Sequence, residues 1–294
     1  MAKSVQETKE KLLFLYHELP EWQQDNQFIV GGYVRETLSF KKSWQSLLYL
    51  HNETGNIYSH MIPSLVVFFS VIFLIEYILP QYPTTSFYDT TAVWTFSMGI
   101  VLCLGTSGLY HLLKSHSHHV SKFGNKLDYI GIVFLIQSSM TSIIYYSMID
   151  RPMLRLFSWT VTGTIGSICV YVSLKEKFSS TDWRTFRATL FVLYGLSGVI
   201  PFIGGIYVYG LEQCFSRLQL KWILLEALFY ISGAALYAAR IPERFRPGTF
   251  DIWGHSHQIF HILVVCGAAS HGMGLLQAYH HAHRHVIPML QGVI

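Results

Sequence analysis

Two histidines at the start of a long apolar run are the residues best suited to chemistry in this sequence. His257 and His261 are four residues apart within Trp253–Ser270. On a helix, positions i and i+4 share one face, so two imidazoles one turn apart can bind one metal ion. A histidine in hydrocarbon is costly, which favours a working site. Interfacial or helix-capping histidines and a purely structural metal are the alternatives, and the pair alone does not separate them.

The composition is that of a polytopic membrane protein. Of 294 residues, 51% are hydrophobic and only 13% are charged, whereas about 25% of the residues in a soluble domain are charged. The net charge of +4 is spread over the loops, so nucleic acid is not expected as a partner. The four cysteines form no C-x-x-C motif, which argues against a disulfide framework. The first apolar run begins too late for a cleaved signal peptide.

Seven apolar runs are long enough to cross a bilayer, which takes about 20 residues. We therefore predict an all-α fold, a seven-transmembrane helix bundle. Pro201 should kink the fifth run, and Glu76 and Glu226, near run edges, are interpreted as interfacial. The runs are roughly Ser59–Leu79, Thr91–Leu113, Leu127–Met148, Met153–Leu174, Ala188–Val208, Trp222–Ala239 and Trp253–Leu276.

The regions on either side of the runs divide the chain further. Residues 1–50 are predicted to form a head, with a helix over Lys3–His17, a loop over Leu19–Arg35 and an amphipathic helix over Ser39–Leu50. That last helix suits the membrane interface, although packing on the bundle is equally compatible with its pattern. The transmembrane domain then covers residues 51–276, and residues 277–294 form a histidine-rich tail.

Lysine and arginine in the connections predict the orientation, since these residues concentrate on the cytoplasmic side. The head and every second connection after it carry sixteen of them, whereas the other connections and the tail carry five. The head should therefore be cytoplasmic and the carboxyl terminus should lie on the opposite, non-cytoplasmic side.

This topology brings polar groups from four separate runs to one depth near the cytoplasmic surface. Ser107 and His111 end the second run, Asp128 begins the third, and His257 and His261 begin the seventh. The first run starts at the same level with Glu53, Asn56 and His60. The ends of spans are always more polar than their centres, but three histidines with an aspartate and a serine exceed what an edge needs.

Such a set of side chains fits zinc. His111, His257 and His261 would supply three imidazoles and leave a fourth position for water, as in catalytic sites. Zinc lowers the pKa of bound water to about 7. Asp128 could accept that water's proton, act as a fourth ligand, or orient a histidine; a first-turn aspartate favoured by the helix dipole is the alternative. Ser107 could bind the water or a developing oxyanion, or simply pack between helices.

The remaining histidines are interpreted as solvated, with a second, loose metal patch in the tail as the less favoured alternative. Three are placed in a cytoplasmic loop and five at or beyond the far end of the seventh run. They are His116, His118 and His119, and His271, His280, His281, His283 and His285.

Three ordered motifs carry a resemblance to a known family. Glu53, Asn56 and His60 match E-x-x-N-x-x-x-H; Ser107 and His111 match S-x-x-x-H, followed by Asp128; and Pro242 precedes the pair His257 and His261. Over about Leu19–His271 the sequence resembles the progestin and adipoQ receptor family, which includes adiponectin receptors, fungal adiponectin-receptor-like proteins and haemolysin III relatives. A fungal-type member is expected.

The resemblance implies seven transmembrane helices with a cytoplasmic amino terminus, and zinc held by His111, His257 and His261 with Asp128 and Ser107 near its water. It also implies an intramembrane hydrolase that cleaves the amide bond of ceramide-like lipids, in lipid and zinc homeostasis. The alternative is a signalling receptor with structural zinc, no significant turnover and an extracellular protein ligand. A zinc transporter is less favoured, since no relay to the far face is evident. The substrate's tails would enter from the bilayer, either the plasma membrane or the endoplasmic reticulum.

Overall fold

The computed structural model describes residues 11–292. In that range its regular secondary structure is helical, with no strand and only an isolated bridge between Phe14 and Tyr33. Seven of the helices in this range are long and apolar enough to cross a membrane, as predicted from the seven apolar runs. We call them the first to seventh spans: Thr54–Ile78, Phe87–Leu113, His118–Ser147, Pro152–Leu174, Arg184–Tyr209, Leu220–Ala239 and Ser256–Leu290. The orientation of the bundle stays a prediction.

The head is mostly non-helical. The predicted helix over Lys3–His17 lies partly outside the described residues, and its described part is wrong, because Phe14 exchanges backbone hydrogen bonds with Tyr33. Residues 19–35 form the predicted loop. A helix then covers Phe40–Gln45, capped by the Ser39 side chain, and a single 3₁₀ turn follows to Leu48. Its apolar side chains are exposed, as an interfacial helix requires.

Two features of the spans follow from single residues. The third span begins at His118 because the Ser117 side chain accepts a hydrogen bond from the Val120 amide, a standard amino-terminal cap. His118 and His119 therefore lie in a helix, and their assignment to a loop was wrong. The fifth span is interrupted at Ser197 and Gly198, one turn before Pro201, which lacks the amide that would bond there. The predicted kink is confirmed.

Close helix contacts bring the polar ends of the spans together. The second and third spans meet at Gly131, where a side-chain carbon would lie 3.0 Å from the Cα atom of Cys103. The sixth and seventh meet at Gly267, where it would lie 2.5 Å from the ring of Tyr230. Glycine therefore allows backbones to approach closely in the bundle, and the second, third and seventh spans share one core.

Candidate metal centre

Three histidine rings form a triangle at the head end of the bundle. The ring centroids of His111 and His257 are 4.8 Å apart, those of His111 and His261 are 4.9 Å apart, and those of His257 and His261 are 4.8 Å apart. One ligand nitrogen from each ring lies within 4.8 Å of the others. The second and seventh spans thus bring together the three predicted ligands. Their role as ligands stays a prediction.

The first span orients the ring of His111. Glu53 places its Oε2 atom 2.7 Å from His111 Nδ1, and the His111 residue is 2% exposed. The other ring nitrogen, Nε2, is buried and has no hydrogen-bond partner among residues 11–292. A carboxylate on one imidazole nitrogen with the second nitrogen free is the usual arrangement of a metal-binding histidine.

Charge keeps the Glu53 carboxylate ionised. Burial alone would raise the pKa of Glu53, but the Lys114 ammonium, 2.9 Å away, and His111 hold it well below its usual range. Burial alone would lower the pKa of Lys114, yet the facing carboxylate raises it well above its usual range. Because an ionised carboxylate only accepts hydrogen bonds, His111 donates its Nδ1–H to Glu53, and the neutral form of the ring then has its lone pair on Nε2.

The first span holds His261 in a similar way. His261 Nδ1 lies 3.1 Å from the backbone oxygen of Asn56 and 3.3 Å from the hydroxyl of Ser59. The ring of His60 stacks on the ring of His261, with centroids 3.6 Å apart and planes within 2°. For both His111 and His261 the Nδ1 atom is therefore engaged by the protein.

The two predicted catalytic residues lie beside the triangle. Ser107 Oγ is 2.9 Å from His60 Nδ1, and the Asp128 carboxyl group is close enough to Ser107 and His111 to interact with both. Asp128 is not part of the group of three that could hold one ion. The structure therefore places Asp128 and Ser107 next to the histidines, and their action on a water stays a prediction.

Sequence reasoning did not find the partners of the ligands. Glu53, Asn56 and His60 were noted as a motif, but their contacts with His111 and His261 were not predicted. The signal was present, since positions i, i+3 and i+7 share one helix face. This face carries a carboxylate, an amide and an imidazole at the level of the proposed metal. Such a face can supply the hydrogen-bonding partners of the metal ligands.

A cavity of about 800 Å³ runs through the bundle beside the triangle. Its wall includes Ser107, Asp128, His257 and His261. It also includes side chains that are exposed on the outer, lipid-facing surface of the fifth and sixth spans. These are Leu196, Val199, Leu224 and Ile231. The cavity therefore reaches the lipid-facing surface between these two spans.

The head forms the floor of the same cavity. Trp22 and Asp25 line it. Arg184, at the start of the fifth span, places Nη2 2.9 Å from Asp25 Oδ1. Arg240, just after the sixth span, donates from Nη2 to the backbone oxygen of Asp25 at 2.8 Å. One head residue thus bonds to both spans that flank the opening.

Two of the histidines interpreted as solvated are buried in the bundle, so that interpretation was wrong for them. His271 pairs with Glu226 at 2.8 Å, and His283 pairs with Asp89 at 3.1 Å. His271 lies inside the predicted seventh run, whereas His283 lies beyond its predicted end at Leu276, because the seventh span continues to Leu290. Glu226 lines the cavity, and its predicted interfacial position stays a prediction.

Fold and site together define a class of protein: a multi-pass membrane protein of seven helices with a buried triangle of histidines at one end. The sequence profile of the haemolysin-III-related family matches residues 48–272. The chain belongs to this family, as the resemblance of its motifs predicted.

Three of its relatives are named as receptors. The chain is 46% identical to the ADIPOR-like receptor IZH2 of Saccharomyces cerevisiae, over 96% of this chain and 88% of the relative. It is 42% identical to the ADIPOR-like receptor IZH1 of Eremothecium gossypii, over 91% and 84%. It is 38% identical to the adiponectin receptor protein of Drosophila melanogaster, over 88% and 58%. The two yeast relatives agree with the expected fungal type.

Proposed function

We propose that this protein binds zinc at His111, His257 and His261 and hydrolyses the amide bond of a ceramide-like lipid held in its cavity. The main support is the unpartnered Nε2 atom of His111, buried in a triangle of three imidazoles. A buried polar atom without a partner is costly, and three neutral imidazoles are a ligand set that zinc favours. The donor set therefore fits the metal.

The cavity supports a lipid substrate. It reaches the surface between the fifth and sixth spans, where Val199 and Leu224 are exposed, so that acyl chains can enter sideways from the bilayer. Its other wall carries the histidines. A lipid that enters there brings its polar head to the triangle while its chains stay among apolar side chains.

Hydrolysis adds the hydroxyl of water to the acyl carbon and a proton to the amine nitrogen. Bound zinc would supply Lewis acidity, which lowers the pKa of a coordinated water and polarises a carbonyl. The Asp128 carboxylate would accept the proton from water and return it to the departing amine, a general base and then a general acid. Ser107, which lies close to Asp128, would hold that carboxyl group in place. The products are a fatty acid and a sphingoid base.

Labelled ceramide added to purified protein tests this proposal. Zinc-loaded protein should release fatty acid, and Asp128→Asn should reduce release by at least a hundredfold while retaining zinc, given the usual contribution of a general base. The matched control is Asp182→Asn, an exposed aspartate outside the cavity, which should be as active as the wild type. Undiminished release by Asp128→Asn would remove Asp128 from the chemistry.

The ligand assignment has its own test. His257→Ala combined with His261→Ala should lose stoichiometric zinc, measured by metal analysis after metal-replete purification. Zinc should also raise the melting temperature of the wild type, because a ligand at a hundred times its Kd stabilises a protein by about 2.7 kcal/mol. The double variant should show no such rise. Full zinc content in the double variant would contradict the assignment.

A receptor in which zinc is structural is the second candidate. The observation that favours it is the link from the cavity to the head, since Asp25 lines the cavity and bonds to both Arg184 and Arg240. Occupancy of the cavity could thereby alter the head. Zinc binding without any fatty-acid release, together with lipid-dependent protection of the head from proteolysis, would favour this function over hydrolysis.

A further inference from the structure

A second polar cluster lies deep in the bundle, away from the histidine triangle. Glu226 and Tyr230 are four residues apart on the sixth span and share a face. Facing them, His271 of the seventh span places Nδ1 2.8 Å from Glu226 Oε2. His271 is 2% exposed, and its ring rests against that of Phe96, with centroids 4.6 Å apart. These contacts hold the imidazole in a fixed position.

The cluster lies well along the bundle from the triangle. His271 follows His261 by ten residues on one helix, which is about 15 Å along the axis. With the triangle at the predicted edge of the membrane, this distance is half of a hydrocarbon core of about 30 Å. An ionisable pair at that depth is costly and marks a functional site by default. Gly267 makes room for the Tyr230 ring, since a side-chain carbon there would lie 2.5 Å from Tyr230 Cε1.

Two atoms of the cluster have unmet hydrogen-bonding capacity. His271 Nε2 and the Tyr230 hydroxyl are buried, and neither has a hydrogen-bond partner among residues 11–292. Glu226, Tyr230 and His271 all line the cavity that also carries His257 and His261. Leaving two such atoms unpaired is unfavourable. A ligand in the cavity that supplies a polar group at this depth would relieve the cost.

The chemistry of the pair selects the group. A neutral imidazole that donates Nδ1–H to the carboxylate can only accept at Nε2, whereas an imidazolium donates there. A hydroxyl group donates and accepts, so it suits both states and also the phenol of Tyr230. A carbonyl oxygen cannot donate, and a second carboxylate would be repelled by Glu226.

We propose that His271, Glu226 and Tyr230 form a subsite for a hydroxyl group on the acyl chain of a lipid whose polar head lies at the histidine triangle. Carbon–carbon bonds of about 1.5 Å in a zigzag chain advance roughly 1.3 Å per carbon, so 15 Å corresponds to a hydroxyl roughly twelve carbons from the head. This inference rests on the proposed function for the presence of a lipid, but requires neither turnover nor zinc chemistry.

The test compares three fatty acids on the purified full-length protein in detergent. They are stearate, 12-hydroxystearate and 2-hydroxystearate, and their affinities are measured by displacement of a fluorescent fatty acid. The wild type should bind 12-hydroxystearate about tenfold more tightly than the other two, the gain expected from one or two buried hydrogen bonds. 2-Hydroxystearate has the same composition with its hydroxyl at the wrong end, so it controls for polarity.

Two variants test the residues. Tyr230→Phe removes one oxygen and His271→Phe keeps a flat ring against Phe96; both should lose the preference for 12-hydroxystearate and bind stearate as the wild type does. Equal affinity of the wild type for the three acids, or an undiminished preference in both variants, would overturn the subsite alone. Absence of binding of all three acids to the wild type would overturn the lipid in the cavity, and with it both proposals.

Discussion

The carboxylate behind His111 should contribute strongly to zinc affinity without touching the metal. Glu53→Gln removes the charge from a 2.7 Å hydrogen bond to Nδ1 of a fully buried ring. Charge-assisted hydrogen bonds are about twice as strong as neutral ones, and losing such an orienting partner typically weakens metal binding 10- to 100-fold. We expect a loss in that range, which is about 1.4 to 2.7 kcal/mol.

Two controls separate this effect from general damage. Asp89→Asn makes the same acid-to-amide change in another buried carboxylate–histidine pair, with His283 at the other end of the bundle, and should leave zinc affinity unchanged. Lys114→Met keeps the bond between Glu53 and His111 but removes the ammonium that Glu53→Gln leaves unpaired. It should weaken zinc binding less than tenfold.

The assay is a competition titration of metal-free protein against a chromophoric chelator at fixed pH. Fluorescence-detected size exclusion establishes that each variant is folded. If Glu53→Gln binds zinc within twofold of the wild type, the carboxylate does not orient the ligand and the assignment of its role is refuted. If Asp89→Asn is weakened equally, the loss in Glu53→Gln reflects a loosened bundle.

Further predictions concern stability in detergent. Gly99→Ala should lower the melting temperature, because the new carbon would lie 2.8 Å from Ser138 Cβ and overpacking costs about 1–3 kcal/mol. A side-chain carbon at Gly163 would have nothing within 4 Å. Gly163→Ala should therefore raise the melting temperature, since alanine favours a helix over glycine by about 1 kcal/mol. A change of the same sign in both variants would contradict these predictions. Burial alone would raise the pKa of Asp150, but hydrogen bonds from Arg217 and Tyr209 hold it below its usual value. The contribution of Asp150 to the free energy of unfolding is therefore fully present above the unfolded pKa of about 3.9. It is lost as the pH falls through the lower pKa of the folded protein. The difference in melting temperature between wild type and Asp150→Asn should be constant above about pH 5 and shrink below about pH 4; a constant difference down to pH 3 would refute the pairing.

The spans and the histidine triangle were predictable because both depend on local sequence. A run of about 20 apolar residues has few alternatives to a membrane helix, and two histidines four apart must share a face. The topology predicted from the lysine and arginine counts then placed His111 and Asp128 at the same depth as this histidine pair. These three signals were enough to bring the predicted ligands together.

The partners of those ligands were less predictable because they depend on how each helix is rotated. Whether Glu53 meets His111, or Glu226 meets His271, is decided by close contacts between spans, such as the one at Gly267. Span ends were also shifted by single residues. Ser117 extends the third span back to His118, because one capping hydrogen bond outweighs the polarity of the residues that follow it.

The bonds of Asp25 have a mechanical consequence for the opening between the fifth and sixth spans. Arg184 and Arg240 belong to the two sides of that opening, and both are tied to this one head residue. A wide chain that pushes the two sides apart must either stretch one of these bonds or pull the head with it. Asp25 therefore links the head to the ends of both spans beside the opening. The positions of the head and of the two spans are coupled through these two contacts.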